Sequence, residues 1–286
     1  MTVQTASKQL LFQLFELYEE REARNIADLV MENITEWKRI DRIINKEVTL
    51  SVEKERLLSR YTNELLANKP VQYVLLEAWF YGMKFYVDEN VLIPRPETEE
   101  LVEWVLTEGA KNTPVKPRIL DLGTGSGCIA VALKKKWIDA KVFACDVSKK
   151  ALEVAANNAT LNNTPIDFIL CDFLDEQQRN SLPAVDIITS NPPYVPFQDK
   201  KAMRLNVLNY EPPLALFVED DDPLLFYRLM VKFCQTRHKE KIMLFVEIHE
   251  GSGKEVTELF ELSGFADIEL KKDLQGRDRM VRASWS

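Results

Sequence analysis

The run Asn191-Pro192-Pro193-Tyr194 joins two side chains that can handle a flat amide to two residues that hold the backbone stiff. Proline locks φ and forbids helix, so consecutive prolines keep a turn rigid. A planar N–H2 group, whether an amide or the exocyclic amine of adenine, has a delocalised lone pair and is a poor nucleophile. If such a group is the substrate, the Asn191 side-chain carbonyl and the Pro192 backbone carbonyl can accept its two hydrogens. Tyr194 can then pack on the flat group and aim its nitrogen at a methyl donor. A sulfonium donor needs no base before transfer, because its positive charge provides the drive and the proton can leave afterwards to water. A Pro-Pro loop that only connects two elements accounts for the prolines but not for the Asn and Tyr beside them.

A second chemical signal precedes it. Ile119-Leu120-Asp121-Leu122-Gly123-Thr124-Gly125-Ser126-Gly127-Cys128 reads as a buried strand, a glycine-rich turn and the start of an apolar helix. Glycines there let a ligand approach the backbone, and free N–H groups at a helix start favour polar or anionic groups. A dinucleotide fingerprint would place glycine at position 128, where this chain has Cys128, so the spacing argues against a nicotinamide or flavin site. The next strand ends in Asp146, placed to accept both ribose hydroxyls of an adenosine, and Ser148 caps the following helix. After the third strand, Asp172 could take an adenine amino group and Phe173 could pack on the base, or Phe173 could equally belong to the core.

Two further segments carry weaker signals. Ile93-Pro94-Arg95-Pro96-Glu97-Thr98-Glu99 combines a rigid turn with a helix start, and could line the donor pocket, fix an interdomain angle or serve only as a capped linker. Tyr210-Glu211-Pro212-Pro213 lies in a long loop after the Asn-Pro-Pro-Tyr turn, a natural place for substrate contacts. The triple acid Asp220 to Asp222 reads as a solvated turn, since adjacent residues do not converge on one ion, and His249 near Glu247 reads as an inert strand-end histidine.

The elements that must position these groups follow from periodicity. From about residue 5 to 67 apolar residues recur at helical spacing, Leu10, Leu11, Leu14, Phe15 and Tyr18, then Ile26, Leu29, Val30 and Ile34, then Leu57, Leu58, Tyr61 and Leu65, which predicts a small helical bundle. Ser51 starts its last helix and Pro70 stops it. Residues 77 to 93 then predict a β-hairpin turning at Tyr81-Gly82-Met83. Strand candidates at Arg118 to Leu122, Lys141 to Cys145, Asp167 to Leu170, Asp186 to Thr189 and Lys241 to Glu247 alternate with helical segments, the pattern of an α/β parallel sheet covered on both faces. Ala266 to Leu270 and Arg279 to Trp285 predict an antiparallel hairpin at its edge. The expected division is a helical substrate-docking domain over 1–72, a hairpin and proline linker over 73–96, and a catalytic domain over 97–286.

Composition bounds the partners. The 286 residues carry a net charge of -8, without the basic footprint of a duplex-binding protein, so no direct nucleic acid binding is expected. Cys128, Cys145, Cys171 and Cys234 lack any C-x-x-C spacing, and the only histidines are His238 and His249, so no metal is expected and the thiols read as reduced. No run approaches a membrane span, which predicts a cytoplasmic protein with no membrane partner.

Together these motifs resemble the HemK/PrmC family, methyltransferases that modify the glutamine side-chain nitrogen of the Gly-Gly-Gln motif in peptide chain release factors. The resemblance covers almost the whole chain. It rests on Pro70-x-Gln72-Tyr73, Phe80-Tyr81-Gly82 with Phe85 and Val87, Leu92 to Glu99, Asp121 to Gly127, Asn191 to Tyr194, Glu211-Pro212 with Ala215-Leu216, Gly264-Phe265, and Asp273-Leu274-x-Gly276-Arg277-Asp278-Arg279. The joining of Ile93 to Glu99 to a helical N-terminal domain is its most specific part. It implies a seven-stranded Rossmann-like methyltransferase fold, use of S-adenosyl-L-methionine with S-adenosyl-L-homocysteine as product, and release factors as protein partners. By resemblance Gly123, Thr124, Gly125, Ser126, Gly127, Asp146, Asp172, Phe173 and Asn191 would hold the donor. Asn191, Pro192, Pro193 and Tyr194 would take the glutamine amide, with Arg95 and Glu97 nearby. Leu76 stands where a glycine is usual, and His249 and Ser252 replace a glycine and a glutamine, which touches secondary contacts rather than the donor or amide motif. Rival readings are methylation of adenine N6 in nucleic acid, of a ribosomal protein's glutamine, or a non-catalytic binding module.

Overall fold

The computed structural model describes residues 1–236 and 241–285; His238 lies outside them. Two units divide the chain: residues 1–77 together with 204–210, and residues 78–203 together with the described residues from 211 onward.

The first unit is all helical. Helices Val3–Leu14, Glu20–Thr35 and Val52–Leu66 bury Val3, Ala6, Leu10 and Leu14, then Ala23, Ile26, Ala27, Val30 and Ile34, then Leu58, Tyr61 and Leu65, in one core. The three-and-four spacing of these positions puts them on one face of each helix. Ser51 caps the third of these helices by accepting the Lys54 N–H at 3.3 Å. Pro70 does more than stop it: the helix ends at Leu66, and Pro70 opens a further short helix, Val71–Leu75. That helix ends on Leu76, held at φ 55°, the left-handed conformation that glycine adopts without cost. Residues 204–210, a late excursion of the chain, join this unit, and the Tyr210 hydroxyl donates to the Ala67 carbonyl at 2.8 Å.

The second unit begins with strands β1 (Ala78–Phe80) and β2 (Met83–Phe85), an antiparallel pair turning on Tyr81 and Gly82, both at positive φ as a two-residue hairpin demands. The hairpin is shorter than its sequence predicts and is no linker. Phe80 and Phe85 are buried in the same core as Leu101, Ile129 and Phe245, so its apolar face seats it within the second unit. The strands that follow are β3 (Arg118–Leu122), β4 (Lys141–Asp146), β5 (Asp167–Leu170), β6 (Ile187–Ser190), β7 (Val195–Pro196), β8 (Phe217–Val218), β9 (Ile242–Glu247), β10 (Ala266–Lys272) and β11 (Asp278–Trp285). Seven of them form one sheet in the order β10-β11-β9-β6-β3-β4-β5. Its central ladders are parallel, and β9–β11 and β10–β11 are antiparallel, as the alternation at the chain's end predicts.

Side chains alternate across β3, so Ile119 joins a core with helices Pro96–Trp104 and Cys128–Lys136 while Leu120 and Leu122 join another with helices Leu225–Gln235 and Gly253–Leu262. Helices on both faces leave only the strand ends open. At those carboxyl ends Leu122 pairs with Cys145 on one side and Ser190 on the other, Asp146 following Cys145, and the sheet order reverses direction between β3 and β6. Such a switch point is where open α/β sheets bind ligands. Among the described residues no helix is long and apolar enough to cross a membrane.

Candidate active site

The glycine turn leaves β3 through three left-handed residues, Gly123 at φ 69°, Gly125 at 53° and Gly127 at 80°. Their roles differ. A side-chain carbon added at Gly123 or Gly125 would meet nothing within 4 Å, so both face open space, whereas one at Gly127 would press on Ala155 Cβ at 3.0 Å and its Cα at 3.2 Å. Gly127 therefore lets the helix Cys128–Lys136 pack on the helix Lys149–Leu161, and Gly123 and Gly125 keep a cradle open beside the backbone.

Neighbouring side chains brace this turn. Thr124 donates its hydroxyl to Asp121 Oδ2 at 2.6 Å and its N–H to the Cys145 carbonyl at 2.9 Å. Gly125 N–H donates to Asp146 Oδ2 at 2.9 Å, and Ser148 N–H to Asp146 Oδ1 at 2.8 Å. Asn158, fully buried, donates to the Ser126 carbonyl and to the Tyr86 carbonyl, each at 2.9 Å, and accepts the Tyr86 N–H at 2.7 Å, which ties the turn to the chain leaving the hairpin. Thr124 and Ser126 are thus buried supports of the loop, and what they offer a ligand is backbone. Asp146 has a structural duty on each oxygen, and a second lone pair on each remains for a hydroxyl donor. Burial raises its pKa against the pull of those N–H groups. Asp121 is wholly buried, its Oδ1 has no hydrogen-bond partner among the described residues, and burial pushes its pKa up to about 7.

Past β5, Asp172 accepts the Leu174 N–H at 2.9 Å. Phe173 is a core residue: its ring packs edge-on against Phe233 at 6.1 Å with the Arg179 guanidinium over it at 5.7 Å. These contacts place the Phe173 ring against the core.

The Asn-Pro-Pro-Tyr turn follows β6 directly. Asn191 Nδ2 donates to Thr98 Oγ1 at 3.1 Å; the Thr98 hydroxyl donates to Glu247 Oε2 at 2.7 Å; the Tyr194 hydroxyl donates to Glu247 Oε1 at 3.0 Å. Glu247 ends β9, next to β6 in the sheet, so the ladder itself delivers it beside the turn. Its carboxyl is buried at 1% exposure with a pKa raised by that burial, which hydrogen bonds from Thr98 and Tyr194 and the nearby Arg279 charge oppose. The Tyr194 hydroxyl is held well above its ordinary value by burial and by Glu247, so it is a fixed donor and no base. His249 Nδ1 accepts the Gly251 N–H at 3.2 Å, and its ring lies 6.2 Å from the Tyr194 ring.

Arg95 and Glu97 are anchored rather than loose. Arg95 Nη2 reaches the buried Glu211 Oε1 at 2.6 Å, and the Ile93 N–H reaches Glu211 Oε2 at 3.4 Å, so the two proline-bearing segments are joined through one carboxylate. Glu97 accepts from Gln275 Nε2 at 3.3 Å. The structure also recruits Thr98, which the sequence shows only inside a capped linker, Glu247, which it shows only as a neighbour of His249, and Asn158, on which the sequence reading is silent. Among the acids of the triple run, Asp220 accepts the Gln198 N–H at 2.9 Å and Asp222 pairs with Arg228.

Comparison with known proteins bears on this arrangement. Residues 8–75 match the PrmC N-terminal domain and residues 103–210 the methyltransferase small domain. A release factor glutamine methyltransferase of Flavobacterium psychrophilum is 43% identical over the full length of both chains. The chain belongs to the release factor glutamine methyltransferase family. A second member, from Bacteroides thetaiotaomicron, is 37% identical over 95% of this chain and 96% of its own. The fold is shared more widely: the hMettl16 catalytic domain, in complex with a MAT2A 3'UTR hairpin, superposes with a TM-score of 0.54 at 16% identity, covering 85% of each chain. The expected seven-stranded methyltransferase fold behind a helical N-terminal domain is therefore present in this member of the family.

Proposed function

We propose that this protein transfers a methyl group from S-adenosylmethionine to the side-chain amide nitrogen of the glutamine in the Gly-Gly-Gln motif of peptide chain release factors. The observation that carries it is the rigid Asn191-to-Tyr194 turn at the carboxyl end of β6, beside an open glycine cradle, in a chain whose full length matches a protein named for that reaction.

The residues present fit an adenosine-bearing donor. Gly123 and Gly125 leave room at the backbone, Asp146 keeps lone pairs at the next strand end, and the unpartnered Asp121 Oδ1 is a buried acceptor. S-adenosylmethionine, when bound, supplies an electrophilic methyl group on a positively charged sulfur. The protein's own work is orientation. Asn191 Oδ1 and the Pro192 carbonyl accept the two amide hydrogens, Tyr194 covers the flat face, and the prolines hold these groups at fixed mutual angles. Holding both hydrogens in the plane directs the nitrogen's developing lone pair out of it, towards the methyl group. No side chain in this arrangement has to remove a proton first, and the Tyr194 hydroxyl is kept protonated by its surroundings. Docking of the release factor belongs to the helical unit, the part that matches the PrmC N-terminal domain.

The deciding experiment is methyl transfer from labelled S-adenosylmethionine to a purified, unmethylated release factor, with duplex DNA and ribosomal proteins in parallel and the modified peptide mapped by mass spectrometry. One methyl on the Gly-Gly-Gln glutamine is the expected product. Label in DNA or a ribosomal protein instead would leave the chemistry of the turn intact and overturn the substrate.

A further inference from the structure

We propose that Thr98 and Glu247 are positioning residues that set the polarity of the Asn191 side chain, so that its carbonyl oxygen rather than its N–H2 meets the incoming amide. The inference deepens the reading of the Asn-Pro-Pro-Tyr turn given above and rests on it.

The argument is a count of hydrogens. Both oxygens of Glu247 act as acceptors, Oε2 for the Thr98 hydroxyl at 2.7 Å and Oε1 for the Tyr194 hydroxyl at 3.0 Å. Thr98 has a single hydroxyl hydrogen, and Glu247 takes it. What Thr98 turns to Asn191, 3.1 Å away, is a lone pair, and only the N–H2 end of the amide can answer it. Asn191 Oδ1 is therefore left at the opposite end, where the substrate's hydrogens arrive. An amide turned the other way would set oxygen against oxygen on one side and present donors to a donor on the other.

Burial keeps this polarity from being rewritten by solvent. Thr98 is 2% exposed and Glu247 1% exposed, so no water competes freely for either. The geometry is fixed from two directions. Thr98 sits in the first turn of the helix that Pro96 opens, its N–H bonded to the Arg95 carbonyl at 3.1 Å, and the Tyr227 hydroxyl holds the Glu247 carbonyl at 3.0 Å. One carboxylate thus orients both side chains that handle the substrate amide.

The test uses the full chain with Thr98→Val, Thr98→Ser and Glu247→Gln. In protein labelled with 15N-asparagine, the Asn191 N–H2 signals, identified by their loss in Asn191→Ala, should exchange slowly with solvent in the unmodified chain and in Thr98→Ser. They should exchange fast in Thr98→Val, which keeps the shape and removes the acceptor. In the methylation assay Thr98→Val should lower kcat by on the order of tenfold to a hundredfold with donor affinity changed less than about threefold, and Thr98→Ser should restore most of the rate. Glu247→Gln, which can donate to Thr98 and free its hydrogen for Asn191, should lose a similar factor, and the double variant Thr98→Val with Glu247→Gln should be no worse than the poorer single one. Slow Asn191 exchange with undiminished kcat in Thr98→Val would overturn the proposal, as would a Thr98→Ser variant as impaired as Thr98→Val. A wild-type enzyme that ignores release factors would instead defeat the assigned substrate, and the exchange measurement would still decide the polarity.

Discussion

Asp121 and Asp146 lie on adjacent strands of the same sheet edge, yet their surroundings treat charge differently. Asp146 has two backbone N–H groups on its carboxylate, whereas Asp121 has one hydroxyl, one unpartnered oxygen and no exposure. The sign for stability follows. The Asp121 carboxyl has an ordinary pKa of 3.8 and a folded value of about 7, so the folded protein holds a proton that the unfolded chain has lost, and stability falls as pH rises between those values. At roughly 1.4 kcal/mol per tenfold change in proton affinity, the full effect is at most about 4 kcal/mol. Asp121→Asn, which keeps an acceptor for Thr124, should therefore gain melting temperature over the unsubstituted protein as pH is raised from 4 towards 7 and hold that advantage above it; a difference independent of pH would refute the raised value. Asn191 is a different case, since the recognition proposed for it acts in the transition state. Asn191→Ala should lower kcat by about a hundredfold to a thousandfold while calorimetry finds donor affinity within about threefold of normal, and turnover surviving that change would dismiss amide recognition by this turn. At this scale the sequence was informative about residue type: the Asn, the prolines, the Tyr and the glycines announce themselves. It was silent on Thr98 and Glu247, because nothing local shows that residues 149 positions apart share a hydrogen bond.

At the scale of elements, the glycine turn separates two meanings of one residue type. Gly127→Ala would force a side chain onto Ala155 at a backbone angle that L-residues resist, and should cost about 2–4 kcal/mol in denaturant unfolding. Gly125→Ala meets open space and should cost only about 1 kcal/mol, yet its methyl group enters the cradle and should weaken donor binding by about tenfold or more. Equal stabilities for the two variants would show that the helix pair yields at Gly127. Leu76 is the converse position, a side chain where the backbone asks for glycine. Leu76→Gly should raise unfolding free energy by roughly 0.5–1 kcal/mol, the relief of a left-handed leucine less the greater freedom of unfolded glycine; a loss would mean that the half-exposed leucine packs to more effect than its strain. A glycine at this place would thus have a local physical reason. Ser51 and Ser148 show how well local rules serve here, each capping the helix its sequence predicts.

For the whole molecule, the decisive feature is that the chain crosses its own domain division. Residues 204–210 leave the catalytic unit after the Asn-Pro-Pro-Tyr turn, join the helical unit, and return at Glu211, which holds Arg95 and the Ile93 N–H. Deleting residues 1–70 should raise KM for an intact release factor by about tenfold or more, since even 1.4 kcal/mol of docking is worth that factor. A short Gly-Gly-Gln peptide should suffer less, through the loss of support for 204–210. Equal losses on both substrates would show that the helical unit acts only by holding that segment and does not dock the factor.

What the sequence determined by itself is what nearest neighbours and periodicity can encode: the apolar face of each helix, the alternation that makes a parallel sheet, the caps, and a stiff Asn-Pro-Pro-Tyr turn. These signals are local, because a helix face or a Pro-Pro turn depends on residues a few positions apart. Tertiary structure decided the rest. It placed the hairpin in the catalytic core, made Phe173 a core residue, gave Asp146 a bracing duty before any ligand duty, and brought Thr98 and Glu247 to Asn191 and Tyr194. Those assignments depend on which strand lies beside which in the sheet, and strand order arises from long-range packing that no short stretch of sequence carries.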